Sequence, residues 1–179
     1  MTRNEKPIET LDRLDPTLPL AVFLVGGDND LGPASLLLFR SVHAADFTQV
    51  LFVSVGVMDY GVLDAGADPS RGFEGPEESG RLRERTRRKL DVFVSEARRL
   101  GLKAGARVTI ATDPVAEIDA LAGILAAEYP KAVFFLSKMV FRKRRWFHQL
   151  LHGGTADALE RVLQRRGLQV RVLPIVLSA

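Results

Sequence analysis

A five-stranded, doubly wound parallel sheet with helices on both faces is the fold class the sequence predicts, and three observations predict it. From residue 20 to residue 179, short β-branched or aromatic runs alternate with longer stretches of helical spacing, the pattern of parallel strands joined by crossover helices. The runs LAVFLV, VLFVSVGV and AVFFL are apolar almost without a break, as strands covered on both faces are. With 179 residues, of which 46% are hydrophobic, the chain is long enough to bury a core of ordinary size in one domain.

The elements follow in order. Residues 1–19 carry seven charges and three prolines without apolar periodicity, so they read as a flexible arm or linker, and the α/β domain spans residues 20–179. Leu20 to Val25 is the first strand. Gly32 and Pro33 then serve as cap and first residue of a helix through Leu36 to Val42, with His43 as a partner for its C-terminal dipole. Gln49 to Val57 is the second strand. The second helix runs from Glu77 to Leu100, where Leu82, Thr86, Leu90, Phe93, Ala97 and Leu100 recur at steps of three and four, and Gly101 closes it. Arg107 to Ala111 is the third strand, and Asp113 with Pro114 opens a helix that buries Val115, Ile118, Leu121 and Leu125 and ends before Pro130. Ala132 to Leu136 is the fourth strand; Thr155 caps the last helix, which turns Leu159, Val162 and Leu163 inward and closes at Gly167. Gln169 to Pro174 is the fifth strand, placed near the sheet edge because its proline sits best at a strand end or edge.

Composition removes several function classes. No cysteine is present, which excludes a disulfide scaffold, a thiol nucleophile, a Cys zinc cluster and an iron–sulfur centre. No apolar run reaches the 18 or so residues needed to cross a bilayer, and the charged start does not read as a signal peptide, so the expectation is a cytoplasmic chain that does not insert into membranes. The formal charge of +3, from 25 Lys and Arg against 22 Asp and Glu, hides a segregation. Acidic residues gather in the long loop from Met58 to Pro76, and cations gather at residues 81–89 and 138–145. The basic run Arg81, Arg83, Arg85, Arg87, Arg88 and Lys89 reads as the solvated face of a helix, and with no recognised motif beside it, no nucleic-acid partner is expected.

In open parallel sheets ligands sit beyond the carboxyl ends of the strands, where the strand order reverses. Two segments fall there. Gly26, Gly27, Asp28 and Asn29 follow the first strand; they either let a ligand approach the backbone or form a plain tight turn, and they lack both the dinucleotide and the phosphate-loop spacing. After the fourth strand come Ser137, Lys138 and Arg142, then Gly153, Gly154 and Thr155. A phosphate held between Lys138 and a helix N-terminus at Gly153 to Thr155 is one reading, and a solvated basic loop is the other. His148 and His152 have the spacing of a metal pair but no evident third ligand, so no metal is assigned. Asp28, Asp30, Asp59 and Asp113 stand at strand ends, where they suit general acid–base work or helix capping equally. No Ser-His-Asp order is legible, and no catalytic residue is assigned.

The strand order, the long second loop, the glycine turn before the last helix and the final hydrophobic strand together resemble the universal stress protein fold, a Rossmann-like three-layer α/β/α domain of the adenine-nucleotide-binding group. Nucleotide-binding members of that family carry G-x-x-G, nine residues, then G-[ST] after the fourth strand. Here the final element is present as Gly154-Thr155, Lys138 to Trp146 replaces the paired glycines, and Asp28 is the counterpart of an early aspartate. The segments LAVFLVGGDNDLG, VLFVSVGVMDYG, LDVFVSEARRLGL, AVFFLSKMVFRKRRWFHQLLHGGTADALERVLQ and VRVLPIVL resemble more closely the cytosolic C-terminal domains of bacterial permeases of the amino acid–polyamine–organocation superfamily. These resemblances imply a regulatory or sensory domain, not an enzyme, that binds ATP, AMP or another anionic small molecule, forms a homodimer through its sheet edge and is tethered to the membrane-embedded part of a permease. A nucleotide-hydrolysing or adenylyl-transferring enzyme with Asp28 or Asp30 on magnesium is the alternative, and a purely structural oligomerisation module is a further one.

Overall fold

The computed structural model describes residues 8–11, 14–26, 33–43, 45–57, 75–141 and 149–177. In chain order these form β1 (Ile8–Leu11), β2 (Leu20–Leu24), α1 (Pro33–His43), β3 (Gln49–Val57), α2 (Gly75–Arg99), β4 (Lys103–Ala111), α3 (Pro114–Glu128), β5 (Ala132–Phe141), α4 (Gln149–Arg165) and β6 (Gln169–Leu177). The sheet order is β1-β4-β3-β2-β5-β6. The five strands from β2 to β6 run parallel, as the sequence predicts, with helices on both faces.

Period-two alternation sends each strand's residues to two opposed cores. Ala21 and Phe23 of β2 join Val50 and Phe52 of β3 and Phe135 of β5 under α1 and α2, which contribute Leu36, Phe39, Leu90, Val94 and Ala97. Leu20, Val22 and Leu24 face the other way, with Leu51, Val53, Phe134 and Leu136, under Leu121, Ala122 and Leu125 of α3 and Leu159 and Leu163 of α4. In the first core the Phe23 ring stacks between Phe52 at 5.5 Å and Phe135 at 5.2 Å, and Phe39 meets Phe23 edge-on at 4.9 Å.

Local chemistry starts α3 and stops α2 and α4 where expected. Asp113 accepts from the N–H groups of Val115 and Ala116, each at 3.0 Å, and Pro114 takes the first turn of α3. Gly101 and Gly167 adopt φ of +78° and +75°. Each makes the same two-bond cap: Gly101 donates to Arg98 and Leu102 to Ala97, Gly167 to Gln164 and Leu168 to Leu163. β6 is an edge strand, which is why Pro174 is tolerated inside it, opposite Lys138, and not only at its end.

The N-terminal stretch departs from a flexible arm. Ile8–Leu11 pairs antiparallel with Leu11↔Gly105 to Ile8↔Val108 of β4 and makes a sixth, edge strand. Residues 14–18 are held by Gln49, which is fully buried: its amide donates to the Asp15 carbonyl at 2.7 Å and accepts from the Asp15 N–H at 2.9 Å. Asp15 in turn accepts from the Thr17 N–H and hydroxyl, which holds its carboxyl below the usual carboxylate range, and Leu14 is buried in the second core. Low apolar periodicity concealed this, because the anchor is a single polar side chain some thirty residues away.

The second helical layer has its own polar tie. Arg166, just past α4, bonds to both carboxylate oxygens of Asp119 on α3 and holds that carboxyl below its ordinary range. Gly123, one turn along α3, leaves the space: a Cβ there would stand 3.2 Å from Arg166 Nη1.

Two outcomes follow for stability. Gln49→Leu strands the N–H and carbonyl of Asp15 in a part-buried position, so urea unfolding should show a loss of about 1–3 kcal/mol with an unchanged m-value. Asp119 binds protons less readily folded than unfolded, so its contribution is present above the unfolded value of about 3.9 and is lost as pH falls through the lower folded value. The melting-temperature gap between the parent protein and Asp119→Asn should therefore be widest near neutral pH and close on acidification below about pH 4.

Candidate functional site

The strand order reverses at β2, which has β3 on one side and β5 on the other. β2 is the short strand of the three. Its last paired residue, Leu24, lies opposite Val53 and Leu136, and Val25 adds one further bond, its N–H donating to the Val53 carbonyl at 2.8 Å. β3 continues through Ser54–Val57, paired with Val108–Ala111 of β4. β5 continues through Ser137–Phe141, paired with Leu173–Leu177 of β6. Two ribbons thus rise on either side of the end of β2, by roughly 13 and 16 Å at the usual strand rise, and stand about two strand spacings, or ~10 Å, apart at their base. Gly26, exposed, lies at the floor of this notch.

Among the described residues, no strand lies opposite Ser54–Val57 on the β5 side, nor opposite Ser137–Phe141 on the β3 side. The β3–β4 wall is braced from behind. Thr109, buried in β4, donates its hydroxyl to Glu117 of α3 at 2.7 Å, and the buried Arg107 donates to Glu128 at 3.1 Å. Glu117 and Glu128 lie eleven residues apart, close to three turns, so both ties come from one side of α3. On the opposite face, Gly56 lets the wall sit close to its neighbours: a Cβ there would stand 2.5 Å from Ile110 Cδ1 and 3.1 Å from Leu82 Cγ.

The residues singled out from sequence distribute unevenly over this geometry. Gly26 is at the floor; Gly27, Asp28, Asn29 and Arg142 lie outside the described residues, as do Asp30, Asp59 and His148. Ser137 and Lys138 are not in a loop after the strand. They are inside β5, paired with Leu173 and Pro174, because Met139, Val140 and Phe141 continue the strand past the lysine. Gly153, Gly154 and Thr155 do not form a helix N-terminus either. α4 begins at Gln149, so Thr155 is its seventh residue rather than its cap, and the free N–H groups of its first turn belong to Gln149 through Leu151. The spacing Leu151, Thr155, Leu159, Leu163 carries helical period through the glycine pair and was the signal for the earlier start. The carboxylate of Asp113 serves as the cap of α3.

The basic run of α2 stands elsewhere. Arg81, Arg85, Arg88 and Lys89 are exposed and, with Gly80, Glu84 and Val92, line an open groove of about 910 Å³. All of its described lining belongs to one helix, and Glu84 accepts from Arg88 at 3.1 Å within it. Converging chain ends, which the notch has, are missing there.

No protein-family model matches the chain, and no curated protein matches it. Among solved structures, it is similar to a protein from the universal stress protein family from Burkholderia pseudomallei: 17% identical, covering 87% of this chain and 96% of that one, with a TM-score of 0.55. A universal stress protein from Archaeoglobus fulgidus is 15% identical, covering 87% of this chain and 93% of that one, with a TM-score of 0.48. The first likeness carries the fold: the chain is a universal stress protein-like α/β domain.

Replacing Gly56 by valine forces side-chain atoms into space that Ile110 and Leu82 occupy. Overpacking of this kind costs about 1–3 kcal/mol, so Gly56→Val should lower the urea midpoint by that equivalent.

Proposed function

We propose that this is a regulatory or sensory domain that binds a nucleotide such as ATP or AMP, or another anionic small molecule, in the notch above β2. The observation that supports the reading is the pair of ribbons, β3–β4 and β5–β6, that overtop β2 by four and five residues at the point where the strand order reverses. Main-chain N–H and carbonyl groups with no strand partner on the notch side among the described residues suit the polar edges of a heteroaromatic ring. Lys138 of β5 is the proposed source of charge for an anionic group, with Arg142 next after that strand in sequence, and the chain topology brings the N-terminus of α4 to the same edge of the sheet.

A binding role is preferred to catalysis because the acidic side chains described near this edge already have structural work. Asp113 caps α3 and Glu117 accepts from Thr109. The domain is also proposed to form a homodimer through the free side of β6. Tethering to an amino acid–polyamine–organocation permease is supported by the sequence resemblance alone; among the described residues, no helix is long and apolar enough to cross a membrane.

Calorimetric titration with ATP, ADP, AMP and cyclic dinucleotides tests the reading. Binding of at least one, weakened tenfold or so by Lys138→Glu as loss of a charge-assisted contact predicts, is the expected result. Silence from all of them ends the nucleotide proposal, and nucleotide turnover that vanishes in Asp30→Asn replaces it with the enzyme reading. Sedimentation of the same samples reports the dimer.

A further inference from the structure

His43 closes α1 with its ring packed against three phenylalanines, Phe39 at 5.4 Å, Phe135 at 5.6 Å and Phe47 at 6.1 Å between centroids. Its side chain is 14% exposed. Two charged groups reach the same ring nitrogen. Nδ1 stands 3.2 Å from Asp46 Oδ2, in the segment between α1 and β3, and 3.3 Å from Arg171 Nη1, on β6; Arg171 Nη1 is itself 4.0 Å from Asp46 Oδ2. On α1 itself Arg40 lies three residues earlier, and among the described residues the ring also meets the uncharged Phe39, Phe47 and Phe135.

These two contacts make opposite demands. An ionised carboxylate only accepts and a guanidinium only donates, so Nδ1 must carry a proton to serve Asp46 and must be bare to serve Arg171. One nitrogen cannot satisfy both at once. We propose that His43 is a proton-controlled latch between α1 and the edge strand β6. With Nδ1 bare, the ring accepts from Arg171 and ties β6 to the end of α1. With the ring protonated, Nδ1–H donates to Asp46, and the imidazolium repels the guanidinium and releases it.

The strand held in this way is the one that needs a second hold. β6 lies at the sheet edge with β5 as its partner, so side-chain contacts supply the remainder of its seating. Histidine is the side chain that ordinarily changes charge between about pH 5 and 8.

Imidazole ¹⁵N spectra of the whole chain between pH 5 and 8.5, with amide hydrogen exchange in β6 corrected for its intrinsic pH dependence, provide the test. At the alkaline end Nδ1 should be the bare, hydrogen-bond-accepting nitrogen and Nε2 should carry the proton. Protonation should speed exchange of the amides around Arg171 by about threefold, the size of effect expected for one half-exposed charged contact. Arg171→Met, at a site 46% exposed and tolerant of a long apolar stem, should show the fast rate at both ends of the range. Asp46→Ala should keep the slow alkaline rate. An Nδ1–H tautomer at alkaline pH, or an unchanged pH dependence of exchange in Arg171→Met, overturns the proposal.

Discussion

The stack of Phe52, Phe23 and Phe135 across β3, β2 and β5 is the contact on which the rest of the geometry depends. The three rings occupy one row of the register, Phe52↔Phe23 and Phe23↔Phe135, and Phe39 of α1 closes over them edge-on to both Phe23 and Phe135. A slip of one residue would turn Phe23 from the α1–α2 face to the α3–α4 face and move every other side chain of β2 with it. The row therefore fixes how high β2 stands between its neighbours. Since β2 stops one residue past Phe23, the same row fixes where the notch begins.

Much of this was legible because fully buried parallel strands announce themselves as unbroken apolar runs. Gln49–Val57 has the same limits in sequence and structure, and α2 differs by two residues at one end and one at the other. Strand ends at the site were harder. Lys138 looks like a boundary when read alone, yet the strand ladder runs on through it to Phe141, and a single charged residue does not end a strand whose main chain stays paired. Pro174 looks like a terminus for a similar reason: its missing N–H matters in a central strand and much less at an edge. The glycine pair at 153 and 154 looked like a helix start because glycine costs about 1 kcal/mol each in a helix interior, but helices with an apolar stripe against a core override that preference.

The polar ties were not legible at all. Gln49 with Asp15, Arg107 with Glu128, and Arg166 with Asp119 join residues from 21 to 47 positions apart. None has a periodicity, since each depends on two elements already being docked. They share a logic. Apolar packing decides which face of a helix meets the sheet, and each tie then removes the sliding freedom that apolar contacts leave, because a hydrogen bond is lost over a displacement that dispersion contacts tolerate. Gly123 shows the same order of precedence: helix propensity is given up at one position so that the Arg166 guanidinium can reach Asp119.

These constraints converge on the region around β2. The floor rests on the ring row, and the β3–β4 wall is braced by Thr109, Arg107 and the close seat of α2 at Gly56. The β5–β6 wall rises on the other side of the same row. It starts at Ser137 opposite Leu173, two residues beyond the pair Phe135 and Arg171. Arg171 is thus one pleat below the base of that wall, and what it holds on the α1 side is His43, whose ring touches Phe135 itself. A change in how β6 is seated therefore acts at the ring row from which the β5–β6 wall rises, beside the floor of the notch.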